Sequence, residues 1–221
     1  MNGWLTGFAI SFLLFGVLSF FASKSNYQKR FQMSYSLRNT FPYEFNYESK
    51  FSDNILGNIL LILSLATVLG FYSTINVGRQ DVILLVAAIA GILLTILIGV
   101  NFFLPLKLLR THMTLSIFQF LMSFVVPAST AISALSYYSD YRNVVPLAVA
   151  ILSGIITIFN FALVMNPKLS LNIKMDVIKN DDGTETYKRP KFITFAFTEW
   201  ITIINSLIYP ILILVMFYSI A

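Results

Sequence analysis

The chain has 221 residues but no cysteine and a single histidine, His112. The first absence removes disulfides, thiolate nucleophiles and cysteine-ligated metals together. The second removes any histidine-rich metal centre. Charge is equally scarce: 11% of the residues are charged and 57% are hydrophobic, against about 25% charged in a soluble domain. With a mean hydropathy of +0.77, water is not the main solvent of this chain. Three catalytic signatures are also missing: a glycine-rich phosphate loop, a Gly-x-Ser nucleophile with a histidine on a second span, and clustered carboxylates for a metal. Asp181 and Asp182 do adjoin, but in a turn-forming stretch where such pairs serve conformation. The sequence therefore reads as non-enzymatic, with no cofactor, no metal ligands and no catalytic residues.

What is abundant is uncharged length. Residues 3–22, 55–75, 82–104, 113–137, 144–165 and 200–220 are free of charge, and each approaches the roughly 20 residues that cross a bilayer core. The fold class expected is an all-α integral membrane protein of six transmembrane helices, one polytopic domain over residues 1–221. The first run is read as a retained span, because no positive charge precedes it and it exceeds an ordinary signal-peptide core. Thirteen of the fifteen Lys and Arg residues lie in the first, third and fifth gaps, leaving only Arg79 and Arg142 in the others. Basic loops stay in the cytosol, so an N-out/C-out topology in the plasma membrane is expected. The same placement makes the anionic inner leaflet, and not nucleic acid, the partner of these basic residues.

The connections differ in length. Residues 76–81, 105–112 and 138–143 are short enough to force antiparallel neighbours, whereas the cytosolic segments 23–54 and 166–199 are long for mere linkers. The succession of long, short, medium, short, long is palindromic and gives no sign of the internal repeats common in secondary transporters. In the first long segment Tyr27, Phe31 and Tyr35 recur every four residues among Lys24, Lys29, Arg30 and Arg38, which predicts a cytosolic amphipathic helix. Phe41, Tyr43, Phe45 and Tyr47 then alternate with polar residues and predict extended chain. In the second segment Leu171, Ile173, Met175 and Val177 alternate before Asp182-Gly183. A small cytosolic β-hairpin is predicted there, with 184–189 as its return strand.

Five amides interrupt the apolar spans at one depth: Asn58, Asn101, Gln119, Asn160 and Asn205 all fall near the cytosolic ends. They predict either a polar recess open to the cytosol or interhelical pairs, Asn58 with Asn101 and Asn160 with Asn205. Glu199 joins this candidate recess if the last span starts near Phe192. A span of ordinary length starting at Trp200 instead leaves it an interfacial charge at a helix start. His112, beside Arg110, is expected at a solvated interface. Ala87, Gly91, Thr95 and Gly99 form a small-residue stripe suited to close helix packing within the bundle, and Pro127 and Pro210 predict kinks. The function this pattern suggests is the membrane subunit of a transport or export assembly that docks a cytosolic protein on segments 23–54 and 166–199. The alternative is a stand-alone immunity or sensor protein against membrane-active molecules, and a lipid-modifying enzyme comes third.

Overall fold

The computed structural model describes the chain apart from residues 1, 47–49, 105–107, 170–175, 180–183 and 221. Its helices are α1 (Asn2–Phe31), α2 (Ile55–Thr74), α3 (Val82–Phe103), α4 (Leu109–Tyr141), α5 (Val144–Val164), α6 (Thr194–Ser206) and α7 (Tyr209–Ser219). Two 3₁₀ turns, Pro42–Asn46 and Phe51–Asn54, and two strands, β1 (Asp176–Lys179) and β2 (Glu185–Lys188), lie in the long connections. Among the described residues six helical segments are long and apolar enough to cross a membrane, the sixth being α6 and α7 together. The chain is a helical, multi-pass membrane protein. Its outer surface carries bare Ile89, Ile96, Ile151, Ile155 and Ile158, a cost in water but none in hydrocarbon.

Neighbours in sequence are neighbours in space: α1 packs along α2, α3 along α4 and α4 along α5, while α7 returns between α1 and α5. The small-residue stripe of α3 faces α2, with the Tyr72 ring against Gly91 and Leu65 against Gly99. The end of the bundle carrying both chain termini is tied by side chains. Thr6 shares a 2.7 Å hydrogen bond with the Tyr218 hydroxyl, and Asn143 Nδ2 donates to the Ser219 carbonyl at 2.6 Å. Asp81 caps α3 by accepting from the Leu84 N–H, and its other oxygen accepts from Ser133. The opposite end carries the two long connections and most of the basic residues, and is called the basic end below.

Three sequence expectations change at that end. The aromatic alternation 41–47 is not extended chain: Pro42–Asn46 is a 3₁₀ turn, with Tyr47 outside the described residues. Alternation marks a strand only when one face meets water, and here Pro42, Tyr43, Glu44 and Phe45 are all buried. Pro42 opens the turn at the position where a missing N–H costs nothing. Secondly, α1 continues without a break from the apolar run to Phe31, so Tyr27 and Phe31 belong to the long first helix; Gln32, at φ 51°, ends it. Tyr35, beyond that end, is buried in the core. Thirdly, the last crossing begins at Thr194 and not at Trp200, and it is broken before Pro210 into α6 and α7.

The strands β1 and β2 pair antiparallel, Asp176 opposite Lys188 and Lys179 opposite Glu185. The turn residues Asn180–Gly183 lie outside the described residues. Val177 and Ile178 are exposed on this pair, so the aromatic turn does not cover them.

Candidate functional site

The early start of α6 puts Glu199 inside the bundle. Phe195, Ala196, Thr198, Glu199 and Trp200 are all buried, and the Glu199 side chain has 0% of its surface exposed. This corrects the reading of Glu199 as an interfacial charge. The first residues of α6 are held by the connection from α1: the Ile193 N–H donates to the Arg38 carbonyl at 2.8 Å, and Trp200 Nε1 donates to the Thr40 carbonyl at 2.8 Å. These two bonds fix the start of α6 against the segment that follows α1.

His112 is likewise buried and not solvated: its Nε2 lies 3.2 Å from Glu199 Oε1, and its side chain is 3% exposed. The same carboxylate oxygen accepts from Ser116 Oγ at 2.9 Å. Asn101 on α3 donates to Ser116 Oγ at 3.2 Å and to Gln119 Oε1 at 3.0 Å, and Gln119 Nε2 donates to Thr202 Oγ1 at 3.4 Å. Three helices thus converge on one carboxylate. On α4 the contributors His112, Ser116 and Gln119 follow at spacings of four and three, one face of a helix. That spacing was the signal in the sequence that could have brought His112 and Ser116 to Glu199.

The cluster is incompletely satisfied. Among the described residues neither nitrogen of His112, nor Glu199 Oε2, nor Asn101 Oδ1 has a hydrogen-bond partner. An orphaned polar atom in a low-dielectric interior carries its full desolvation cost, and of the four only His112 Nε2 has an oppositely polar group close by, the Glu199 carboxylate at 3.2 Å. The set offers a base, a carboxylate and an amide oxygen, the equipment for binding a proton, a water or a small cation. Groups of three or more His, Cys, Asp and Glu residues able to hold a metal ion do not occur among the described residues.

Aromatic residues of the 3₁₀ turn Pro42–Asn46 and the residue before it pack against His112. The Tyr43 ring stands edge-on to His112 at 4.3 Å between centroids, with Phe41 behind it at 6.2 Å. The turn that carries them is latched. Glu44 accepts from the Phe41 N–H at 2.7 Å, and Arg189 donates to both Glu44 oxygens, with Nη1 at 2.7 Å from Oε2. Burial disfavours the Arg189 charge, but the hydrogen bonds and the charge of Glu44 outweigh it and raise its pKa above the ordinary arginine value. The latch arginine is therefore charged at any working pH.

The remaining amides sit apart from this cluster. Asn58 accepts from Asn54 at 3.4 Å and donates to the Phe51 carbonyl at 3.2 Å, closing the start of α2. Asn160 accepts from Asn205 at 2.7 Å and donates to the Tyr209 hydroxyl and the Ser123 carbonyl, both at 2.8 Å. So the expected pair Asn160–Asn205 is present and the expected pair Asn58–Asn101 is not. Of the six candidate residues, the structure brings together Asn101, Gln119 and Glu199. It adds His112, Ser116 and Thr202, which the sequence reading left out of the recess.

The fold and site define a six-crossing membrane protein with a buried carboxylate–imidazole pair. No family model, curated protein or solved structure matches the chain.

Proposed function

We propose that this protein is a non-enzymatic transport subunit of the plasma membrane, with both termini outside, in which Glu199 and His112 exchange a proton with the cytosol. The observation that carries this reading is the fully buried Glu199 beside a buried His112, with polar atoms left unpaired around them. An ionisable pair inside a membrane span is expensive unless it is used, and carrying protons or cations is a common use. A carboxylate and an imidazole that touch can hold one proton between them, and Phe41 and Tyr43 would act as the lid that governs its access. The exposed Val177 and Ile178 on the β1–β2 pair support the further reading that segments 23–54 and 166–199 dock a cytosolic partner.

The test is electrical. Proteoliposomes adsorbed on a supported membrane and given a pH step should produce a transient current as protons enter from the basic end. Glu199→Gln, which keeps shape and hydrogen-bonding capacity, should abolish that current while the protein remains folded by thermal unfolding. Equal currents from the two proteins, or none from the wild type, would remove the coupling role.

A further inference from the structure

A cavity of about 260 Å³ runs between α1, α2, α3 and α6, separate from the Glu199 cluster. Its wall is hydrocarbon, with Phe12, Leu65, Val68, Leu94 and Ile98 prominent. The serine and threonine hydroxyls that line it are turned into helix backbone: Ser64 donates to the Phe12 carbonyl, Thr95 to that of Gly91 and Ser206 to that of Ile203. Water finds few partners in such a space. On α2 the lining extends from Leu61 to Tyr72, about 16 Å along the axis at the helical rise. The space is therefore long enough for an extended chain.

Its two openings point to the same occupant. Along one side it is rimmed by Val17, Phe21 and Ile204, all exposed, so it communicates with the surface that faces hydrocarbon. Towards the basic end its wall is formed by Phe20 and Leu37. There Lys24 places its ammonium 6.0 Å from the Phe20 ring centre, and exposed Arg38 follows Leu37. An apolar slot with a sideways mouth and cations at one end matches a molecule with a hydrocarbon chain and a negative head.

We propose that this cleft holds one acyl chain of an anionic glycerophospholipid, with the chain along α2 and the phosphate at Lys24. This proposal stands apart from the transport reading, because lipid binding is measured without any proton movement. It also gives the stripe on α3 a second use. Gly99 lets Leu65 of α2 come close, while the small side chain of Thr95 lines the cleft and leaves it open.

The protein carries its own reporter. Of its two tryptophans, Trp4 is exposed near the N-terminus, whereas Trp200 lines the cleft and is 3% exposed, shielded from bulk lipid by Phe20, Phe45 and Phe102. In Trp4→Phe protein reconstituted in phosphatidylcholine vesicles, phosphatidylglycerol brominated in mid-chain should quench Trp200. Quenching should saturate at a few mole per cent, and brominated phosphatidylcholine at the same level should do much less. Lys24→Gln should erase the difference between the two lipids, and Val68→Phe, which fills the cleft, should remove the saturable component. Quenching that rises linearly and equally with either lipid in the Trp4→Phe protein would overturn the proposal, whatever the two further variants do.

Discussion

Pro127 lies within α4 and has no N–H to give the carbonyl of Ser123 one turn earlier. That carbonyl instead receives the Tyr209 hydroxyl at 2.7 Å and Asn160 Nδ2 at 2.8 Å. Freed backbone groups in a membrane helix must be satisfied by neighbours, and here α5 and α7 supply them. The amide of Asn205 then completes the node through Asn160 Oδ1. Replacing Asn160 by Leu leaves the Asn205 amide without its acceptor, so a loss of about 1–3 kcal/mol is expected, above the roughly 0.6 kcal/mol average for interhelical hydrogen bonds. Adding Asn205→Leu should return part of that loss. Thermal unfolding of the two single variants and the double variant in detergent gives the coupling, and strictly additive losses would contradict the node. At this scale the sequence was half legible. Equal depth on neighbouring spans foretold the Asn160–Asn205 pair, but depth alone does not say which faces meet. Asn58 turned to its own helix start, and Asn101 to Ser116 and Gln119.

Among the elements, five of the six crossings follow directly from runs of uncharged residues, because in hydrocarbon that property is both necessary and visible. The last does not, since one carboxylate in the run suggests an end. Glu199 is admitted because α4 brings Ser116 and His112 to it, 83 and 87 positions away in sequence, with Asn101 of α3 behind Ser116, contacts that no local pattern encodes. The 3₁₀ turn Pro42–Asn46 was misread for a related reason. Its aromatic alternation looked like a half-wet strand, but Arg189, 145 residues away in sequence, neutralises Glu44 and lets the turn be enclosed. The turn should therefore depend on that pair. Breaking a partly buried ion pair leaves an uncompensated charge, so Arg189→Met should loosen residues 36–46 and uncover His112. Hydrogen exchange followed by mass spectrometry should show protection across that segment falling about tenfold, equivalent to about 1.4 kcal/mol, with the α2–α3 turn unaffected. Unchanged exchange at 36–46 would mean that the Trp200, Tyr35 and Asn46 hydrogen bonds suffice to hold the lid.

For the whole molecule, orientation decides which compartment the Glu199 pair would serve under the proposed proton coupling. The two long connections and both basic clusters adjoin the same end as His112, and thirteen of fifteen cations fall in the three gaps at that end. Basic loops resist translocation, so that end should face the cytosol, and the tied end with both termini should face outside. A phosphatase active only outside the cytosol should work when fused after Ala221 and be silent when inserted at Gly183. The chain has no cysteine of its own, so Ser139→Cys and Asp182→Cys give a second test that adds almost no mass. An impermeant thiol reagent applied to intact cells should label position 139 and spare position 182. Labelling of 182 alone, with an active fusion at 183, would turn the molecule over. The lid of Phe41 and Tyr43 would then open outward, Lys24 would meet the outer leaflet, and the buried pair would take its proton from outside the cell.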